Sequence, residues 1–254
     1  MPIQSDIIRV CEKIIFIRFF YILAPPTTTL MRVGVLFSGG KDSVLAMHRA
    51  AAFHEIACLI TLISSNPHSY MFHTPAIEHT RHQSQALGIP QVAVQTTGRK
   101  EREVRDLQHA IQKATEEYNI EGVVSGAIDS IYQATRIQRV CYNLNLWCYN
   151  PLWQEDQGTV LREMLSKGYK AMIVGVFGYP LGEEYLGRVI DDEVVRHLLK
   201  LREEMGFNPA GEGGEIETFV FDGPLFKRPV IIKSVKRHFS NYTGTVEMET
   251  EVEV

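Results

Sequence analysis

The stretch VGVLFSGGKDS at residues 33–43 decides the fold of this chain. Its apolar first half, Val33–Phe37, predicts a buried strand, and the amphipathic segment Val44–His54 predicts a helix directly after a glycine-rich turn. A strand, a tight turn and a helix in this order form the first unit of a parallel sheet that helices cover. Such a turn can bind an anion, because its backbone N–H groups and the positive end of the helix meet there.

The turn has the residue types that a phosphate group needs. Two adjacent glycines, Gly39 and Gly40, let the backbone come close to phosphate oxygens, and Lys41 supplies a positive charge. A carboxylate here repels phosphate unless it binds Mg²⁺ or caps the helix, so Asp42 indicates a metal-bridged polyphosphate and is a candidate Mg²⁺ ligand. The alternative is a glycine-rich turn with a capping Asp. The candidate phosphate-binding residues are Ser38, Gly39, Gly40, Lys41, Asp42 and Ser43.

Apolar runs and amphipathic segments continue to alternate after this unit, which is typical of a parallel sheet with helices on its faces. The predicted strands are Val33–Phe37, Ala57–Ile63, Gln91–Gln95, Gly122–Ser125 and Leu146–Tyr149. The predicted helices are Val44–His54, Pro75–Leu87, Glu101–Tyr118 and Ser130–Asn143. We therefore expect an α/β fold with a doubly wound, parallel five-stranded sheet.

The alternation changes after Pro151, where we expect a second, smaller α+β domain to begin. Its predicted elements are the helix Asp156–Lys167, the strand Ala171–Phe177 and the helix Asp191–Met205. A loop rich in Gly and Glu and several β-rich segments follow. The tail Glu247–Val254 alternates Glu with apolar residues and predicts either a strand or a frayed end.

Residues 1–30 differ from the rest of the chain. Their apolar run, Ile14–Leu23, is interrupted by Arg18 and is shorter than the roughly 20 apolar residues of a membrane span. Arg18 also falls in the middle of what would be the apolar region of a secretory leader. Because the first strand begins directly after Met31, we interpret residues 1–30 as a non-native or accessory extension, and we expect no membrane association.

Composition limits the classes of partner. The net charge of -4 and the pI near 6.1 lack the basic excess of a nucleic-acid-binding protein, so a nucleic-acid partner is not expected. The four cysteines form no zinc or disulfide spacing and predict reduced core thiols of a cytoplasmic protein: Cys11, Cys58, Cys141 and Cys148. Four histidines lack the carboxylates or thiols of a zinc site and are expected to be solvated or substrate-facing: His68, His73, His79 and His82.

Several tracts outside the turn make the chain similar to a known family. They are SYMFHT at Ser69–Thr74, SGAI at Ser125–Ile128 with Tyr132, Gln133 and Arg136, PLW at Pro151–Trp153, and GEGGEIET at Gly211–Thr218. The turn resembles the SGGxDS loop of the N-type ATP pyrophosphatases, the PP-loop superfamily. From Met31 to about Lys233 the chain resembles the diphthine–ammonia ligases, which complete diphthamide on translation elongation factor 2. The last tract is the most discriminating, although Ile216 stands where the family usually has Tyr.

The resemblance implies a fold and a reaction. The fold is adenine nucleotide alpha hydrolase-like, of the HUP type, with the ATP-binding PP-loop domain at residues 31–151 and the substrate-binding domain at residues 152–254. ATP and Mg²⁺ are the implied cofactors. The diphthine carboxylate attacks the α-phosphorus to form an acyl adenylate, and ammonia then gives the amide, so AMP and pyrophosphate are released. The implied partners are elongation factor 2 carrying diphthine, and ammonium; homo-oligomerisation stays open.

The resemblance also assigns candidate roles. Lys41 and Asp42 are candidate catalytic residues, and either Glu212 or Glu215 would deprotonate ammonium if burial raises its pKa. Small residues at Ser125-Gly126 end the fourth strand at the ligand edge of the sheet, where backbone amides can approach ATP. Aromatic rings and carboxylates suit the trimethylammonium group of diphthine, and Arg suits its carboxylate. The candidate substrate-binding residues are Tyr70, His73, Tyr132, Gln133, Arg136, Glu217 and Thr218.

Two other functions compete with this one. Another PP-loop ATP pyrophosphatase, such as a tRNA thiolase or lysidine-forming ligase, would share the turn, but thiolation usually needs a reactive cysteine pair. Cys141 and Cys148, seven residues apart, read better as core residues. A non-catalytic adenine-nucleotide sensor would bind ATP without cleaving it. Lys41, Asp42 and the acidic tract argue against the sensor, which needs no second, acidic site.

Overall fold

A computed structural model describes residues 30–64, 76–97 and 100–253. Its first half contains the predicted parallel sheet, with strand order β3-β2-β1-β4-β5. The strands are β1 Arg32–Leu36, β2 Glu55–Ser64, β3 Gln91–Thr96, β4 Gly122–Val124 and β5 Trp147–Tyr149. The helices are α1 Lys41–Ala51, α2 Thr80–Leu87, α3 Lys100–Tyr118 and α4 Ile131–Asn143. The predicted α/β fold class is confirmed, and the extension at residues 1–30 lies, apart from Leu30, outside the described residues.

The order of the parallel strands determines where a ligand can bind. The chain leaves β1 toward β2 and β3 on one side of the sheet, and returns to β4 and β5 on the other side. The connection that follows β1 therefore runs to one side of the sheet and the connection that follows β4 runs to the other side, so the two separate beyond the carboxyl ends of these neighbouring strands. In doubly wound sheets this switch point opens the crevice in which ligands bind.

The second half forms an antiparallel sheet with strand order β7-β6-β9-β8. Its strands are β6 Lys170–Phe177, β7 Ile216–Asp222, β8 Ile231–Ser240 and β9 Thr243–Glu251, and its helices are α5 Gln157–Ser166 and α6 Asp192–Met205. Asp156 and Asp191 begin the two helices by accepting hydrogen bonds from the backbone amides of Thr159 and Val194, at 2.9 and 2.8 Å. The predicted tail strand is present within β9, although it starts earlier than Glu247 and ends at Glu251.

The two faces of the parallel sheet have different partners. On one face α3 and α4 bury side chains that include Ile60, Leu107 and Ile137. On the other face one continuous core joins β1 and α1 to the second half of the chain, for example Leu45 to Leu161 and Phe219. The two halves therefore share one hydrophobic core, and the boundary at residues 151 and 152 stays a prediction.

Arg49 on α1 adds polar contacts to this shared core. Its guanidinium donates to the Pro151 carbonyl at 2.7 Å and to Glu155 at 3.1 Å, and it forms an ion pair with Glu163 on α5. The pKa of Glu163 is lowered, mainly by this hydrogen bond. The connection between the two sheets is thus bonded to the helix that follows the phosphate-loop turn. Among the described helices, none is long and apolar enough for a membrane crossing.

Candidate active site

A pocket of about 540 Å³ lies at the switch point of the parallel sheet. Its wall includes the turn after β1, the turn after β4 and the tract that leads into β7, together with residues of β2, α4, β6 and β9. Of the predicted site residues, the lining includes Ser38, Gly40, Lys41, Asp42, Ser43, Ser125, Gly126, Gln133, Glu212, Glu217 and Thr218. The fold thus brings the candidate phosphate loop and much of the acidic tract together, although about 170 residues separate them in sequence.

The helix after the turn begins earlier than expected. α1 starts at Lys41 rather than Val44, so Lys41, Asp42 and Ser43 form its first turn, where backbone N–H groups have no partner within the helix. Gly39 has a φ of +79°, a conformation that favours glycine. Gly40 offers no side-chain cap, and the hydroxyl of Thr218 on β7 instead accepts a hydrogen bond from the Lys41 amide at 3.0 Å. Strand β7 therefore takes part in ordering this helix end.

The ammonium of Lys41 is buried beside the pocket, with the residue only 3% exposed. It donates to Oδ2 of Asp42 at 2.8 Å and to the Ala210 carbonyl. An ammonium has three protons, so one donor remains for a ligand. Oδ1 of Asp42 is buried and has no hydrogen-bond partner among the described residues. These contacts hold a positive charge and a carboxylate oxygen at fixed places in the wall.

Close packing joins the turn after β4 to the start of α1. A Cβ atom on Gly126 would lie 2.8 Å from the carbonyl carbon of Asp42 and 2.9 Å from the amide nitrogen of Ser43. Only glycine fits this contact. Ser125 is buried, and its hydroxyl accepts from the Ala127 amide at 3.2 Å. The small residues of this turn thus allow α1 to approach, a reason that the sequence did not give.

The acidic tract divides into residues that line the pocket and one that does not. Glu212 lines the pocket and accepts from the Asp129 amide at 3.2 Å, and burial together with the charge of Asp42 raises its pKa. Burial raises the pKa of Glu217, also in the lining, to about 8. Glu215 is absent from the lining and accepts from the Asn208 side chain at 2.6 Å. Of the two predicted bases, only Glu212 therefore faces the pocket.

One corner of the pocket combines an aromatic ring with a carboxyl group. A Cβ atom on Gly175 would lie 2.7 Å from the ring of Phe177 and 3.2 Å from Cβ of Glu217, so both side chains flank this glycine. Such a corner suits a cation, because an aromatic ring and the ionised form of a carboxyl group both attract positive charge. Ile216, which replaces the usual Tyr, is buried in the lining and adds an apolar surface without a hydroxyl.

Helix α4 presents Gln133 to the pocket, whereas its other candidates contact each other. The Arg136 guanidinium lies over the Tyr132 ring, with Cζ 3.4 Å from the ring centroid, and donates to the Tyr132 carbonyl at 3.2 Å. Neither residue is part of the lining. Their predicted contacts with the substrate stay predictions. Tyr70 and His73 lie outside the described residues.

The remaining histidine and cysteine expectations have mixed outcomes. His79 and His82 both contact the Thr250 hydroxyl on β9, at 2.9 and 2.6 Å, and burial lowers the pKa of each. Both histidines are half-buried, so the prediction that they are solvated or substrate-facing stays a prediction. Cys58 and Cys141 are buried core thiols, as predicted. The hydrogen bond with Cys148 and burial raise the pKa of Cys141, which makes a thiolate there unfavourable.

Several residues of the site were missed by the sequence analysis. Phe177 and Ala210 lie in the second half, where no motif marked them. Gln83 on α2 is fully buried and donates to the carbonyls of Gly39 and Val220. A signal for Gln83 was available, because it shares a helix face with Ala86 and Leu87, and a polar side chain on an apolar face is unusual.

Comparisons with known proteins found family models, related sequences and solved structures. The family model "Diphthamide synthase N-terminal domain" matches residues 31–147, and "Diphthamide synthase C-terminal domain" matches residues 156–254. A protein named diphthine–ammonia ligase from Homo sapiens is 36% identical over 224 residues, covering 80% of this chain and 84% of that protein. One from Danio rerio is 35% identical over 225 residues, covering 81% and 88%. A solved structure, described as a predicted subunit of tRNA methyltransferase from Methanocaldococcus jannaschii, has a TM-score of 0.39 and 22% identity, covering 75% of this chain and 96% of that one.

Proposed function

This chain belongs to the diphthamide synthase family, and from that premise we propose that it is a diphthine–ammonia ligase. It would use ATP to convert the carboxylate of diphthine on translation elongation factor 2 into an amide, with release of AMP and pyrophosphate. The observation that carries this proposal is a pocket that joins a helix end suited to an anion with two half-buried carboxyl groups. The first part suits a nucleotide, and the second suits a cationic substrate.

We assign the nucleotide phosphates to the turn at residues 38–43. The amides at the start of α1 and the charge of Lys41 would hold the β- and γ-phosphates. Charge develops on these groups as pyrophosphate departs, so a fixed ammonium stabilises the transition state more than the ground state. The bonds from Lys41 to Asp42 and Ala210 fix that ammonium before ATP binds.

The residues present fit one bridging Mg²⁺ but offer no complete protein site. Among the described residues, no group of three or more His, Cys, Asp or Glu side chains could hold a metal ion. Oδ1 of Asp42, buried and without a partner in the described part of the chain, is an oxygen available to Mg²⁺, and ATP phosphates would supply the others. When bound, Mg²⁺ would neutralise phosphate charge. Asp42 would meanwhile keep its second oxygen on Lys41.

The amidation step needs a base, and the carboxylates of the pocket are its candidates. We assign this role to Glu217 rather than to Glu215, because Glu217 lies in the lining beside Phe177 and its pKa of about 8 suits proton transfer near neutral pH. The ionised form of Glu217, which becomes populated as the pH approaches 8, would take one proton from ammonium, and the nitrogen lone pair would attack the acyl carbonyl of the adenylate. The bond from that carbonyl to the AMP oxygen would then break, the nitrogen would lose its second proton to the departing AMP phosphate, and AMP would leave. Glu212 would keep the pocket attractive to cations.

The decisive experiment follows both products of one incubation. The protein is mixed with elongation factor 2 carrying diphthine, with ammonium and with labelled ATP, and AMP and amide are measured together. We expect equal amounts of AMP and amide, and no AMP when ammonium or diphthine is left out. ADP as the product would contradict the proposal. ATP binding without pyrophosphate release under every condition would favour the nucleotide sensor. We also propose a cytoplasmic location, since the translation factor acts there.

A further inference from the structure

Gln83 connects the phosphate loop to strand β7 although no motif contains it. Its Nε2 atom donates to the Gly39 carbonyl at 2.8 Å and to the Val220 carbonyl at 2.6 Å. The Val220 amide also donates to the Gly39 carbonyl, at 3.0 Å. β7 is an edge strand of the antiparallel sheet, so the backbone groups on its outer side have no neighbouring strand in that sheet. At Val220 these groups bond to the loop and to Gln83 instead.

These bonds determine which way one peptide group of the loop faces. In a trans peptide the C=O and N–H groups point in opposite directions. Because Gly39 directs its carbonyl toward β7, the Gly40 N–H points away from β7. There the Gly40 N–H donates a long hydrogen bond to the Ser38 hydroxyl, at 3.4 Å, and both Gly40 and Ser38 line the pocket. The pocket therefore receives a donor from this peptide, whereas the reversed peptide would present a carbonyl oxygen to an anion.

We propose that Gln83 is a positioning residue that keeps the Gly39–Gly40 peptide turned so that its N–H faces the β- and γ-phosphates of ATP. The proposal rests on the assignment of those phosphates to the loop. The donor atom is the essential feature, since Oε1 of Gln83 is buried and has no partner among the described residues. The fit is tight as well: a Cβ atom on Gly39 would lie 2.1 Å from that oxygen.

The test separates this role from ordinary packing by comparing two nucleotides. Gln83→Leu removes the donor and keeps an apolar side chain of similar size, and Gln83→Met is a second variant should Leu prevent folding. A matched control is Gln91→Leu, because Gln91 also donates twice, to Thr61 at 2.8 Å and to Thr80 at 2.9 Å. Calorimetry gives the Kd of a non-hydrolysable ATP analogue and of AMP, which lacks the β- and γ-phosphates. Partial unfolding weakens the binding of both ligands equally. A change in the ratio of the two Kd values therefore reports an effect on the loop that would bind the β- and γ-phosphates.

We expect Gln83→Leu to weaken the ATP analogue by roughly tenfold to a hundredfold, the effect of losing one hydrogen bond to a charged group. AMP affinity should stay within about twofold of the wild type, because AMP does not reach the reoriented peptide. Gln91→Leu should leave the ratio unchanged. An unchanged ratio in both Gln83 variants, in a protein whose wild type binds both nucleotides, would overturn the positioning role and leave the proposed function intact. A wild type that binds neither nucleotide would overturn both.

Discussion

Replacing Glu217 with Gln should change how stability depends on pH. Burial raises the pKa of this carboxyl from 4.5 to about 8 in the folded protein. The folded chain therefore keeps the proton up to about pH 8, while the unfolded chain releases it near pH 4.5. Raising the pH between these two pKa values favours unfolding. The stabilising contribution of the protonated Glu217 is therefore fully present below pH 4.5 and is lost as the pH rises through about 8.

The magnitude follows from the two pKa values of Glu217. At pH 7 the difference lowers the free energy of unfolding by roughly 3 kcal/mol relative to acid conditions, and the full loss by pH 9 is roughly 5 kcal/mol. Gln cannot ionise, so the variant lacks this loss. The free energy of unfolding of Glu217→Gln minus that of the wild type should increase steadily from pH 5 to pH 9.

Urea denaturation at a series of pH values measures this difference directly. Glu249→Gln is the matched control, since Glu249 is exposed on β9 and its substitution makes the same chemical change away from the pocket. The subtraction removes the contributions of all other titrating groups. A Glu217→Gln difference that stays constant from pH 5 to pH 9 would show that the carboxyl ionises freely in the folded protein, and our assignment of Glu217 as the base would lose its physical support.

Three further outcomes are expected. Lys41→Ala should lower the rate of pyrophosphate release by roughly 10²–10³-fold, as measured in steady-state assays, and normal turnover by a folded variant would remove Lys41 from the mechanism. Gly126→Ala should destabilise the protein by about 1–3 kcal/mol, because the added methyl group would overlap the Asp42 backbone; thermal unfolding that matches the wild type would disprove that contact. Burial lowers the pKa of His79 and His82, so acidification from pH 7 to pH 5 should progressively weaken the packing of these side chains on β9, seen as lower amide protection factors in that strand; protection factors that do not change over this range would count against the assignment.

The parts of the fold that could be predicted are those with a strong local signal. Alternating apolar and amphipathic segments predicted the parallel sheet, and two glycines before Lys41 predicted the tight turn that precedes α1. The contact between Tyr132 and Arg136 also had a local signal, because residues four apart share one helix face. The four-residue spacing of Tyr132 and Arg136 is explained by their contact with each other on the helix surface, and it does not by itself indicate a contact with the substrate.

The choice among the acidic residues could not be made from sequence, because it depends on the path of the chain between them. Gly211 and Gly214 have φ values of +75° and +86°, and the turns they make direct Glu215 to Asn208 rather than to the pocket. The sequence shows that such glycines permit turns, but it does not show the direction in which the chain continues after each turn. The role of Gln83 depends likewise on Val220, which lies 137 residues away in the chain.

The core shared by the two sheets limits how this gene can recombine. A hybrid could join the residues before Pro151 of one homologue to the later residues of another. The two surfaces that form the shared core would then come from different proteins and would not be matched to each other. Arg49 would then need its side-chain acceptors, Glu155 and Glu163, from a foreign sequence. Viable hybrids should therefore carry compensating changes on α1 and α5, and new segments should be inherited more readily at the ends of the chain than at the junction of its halves.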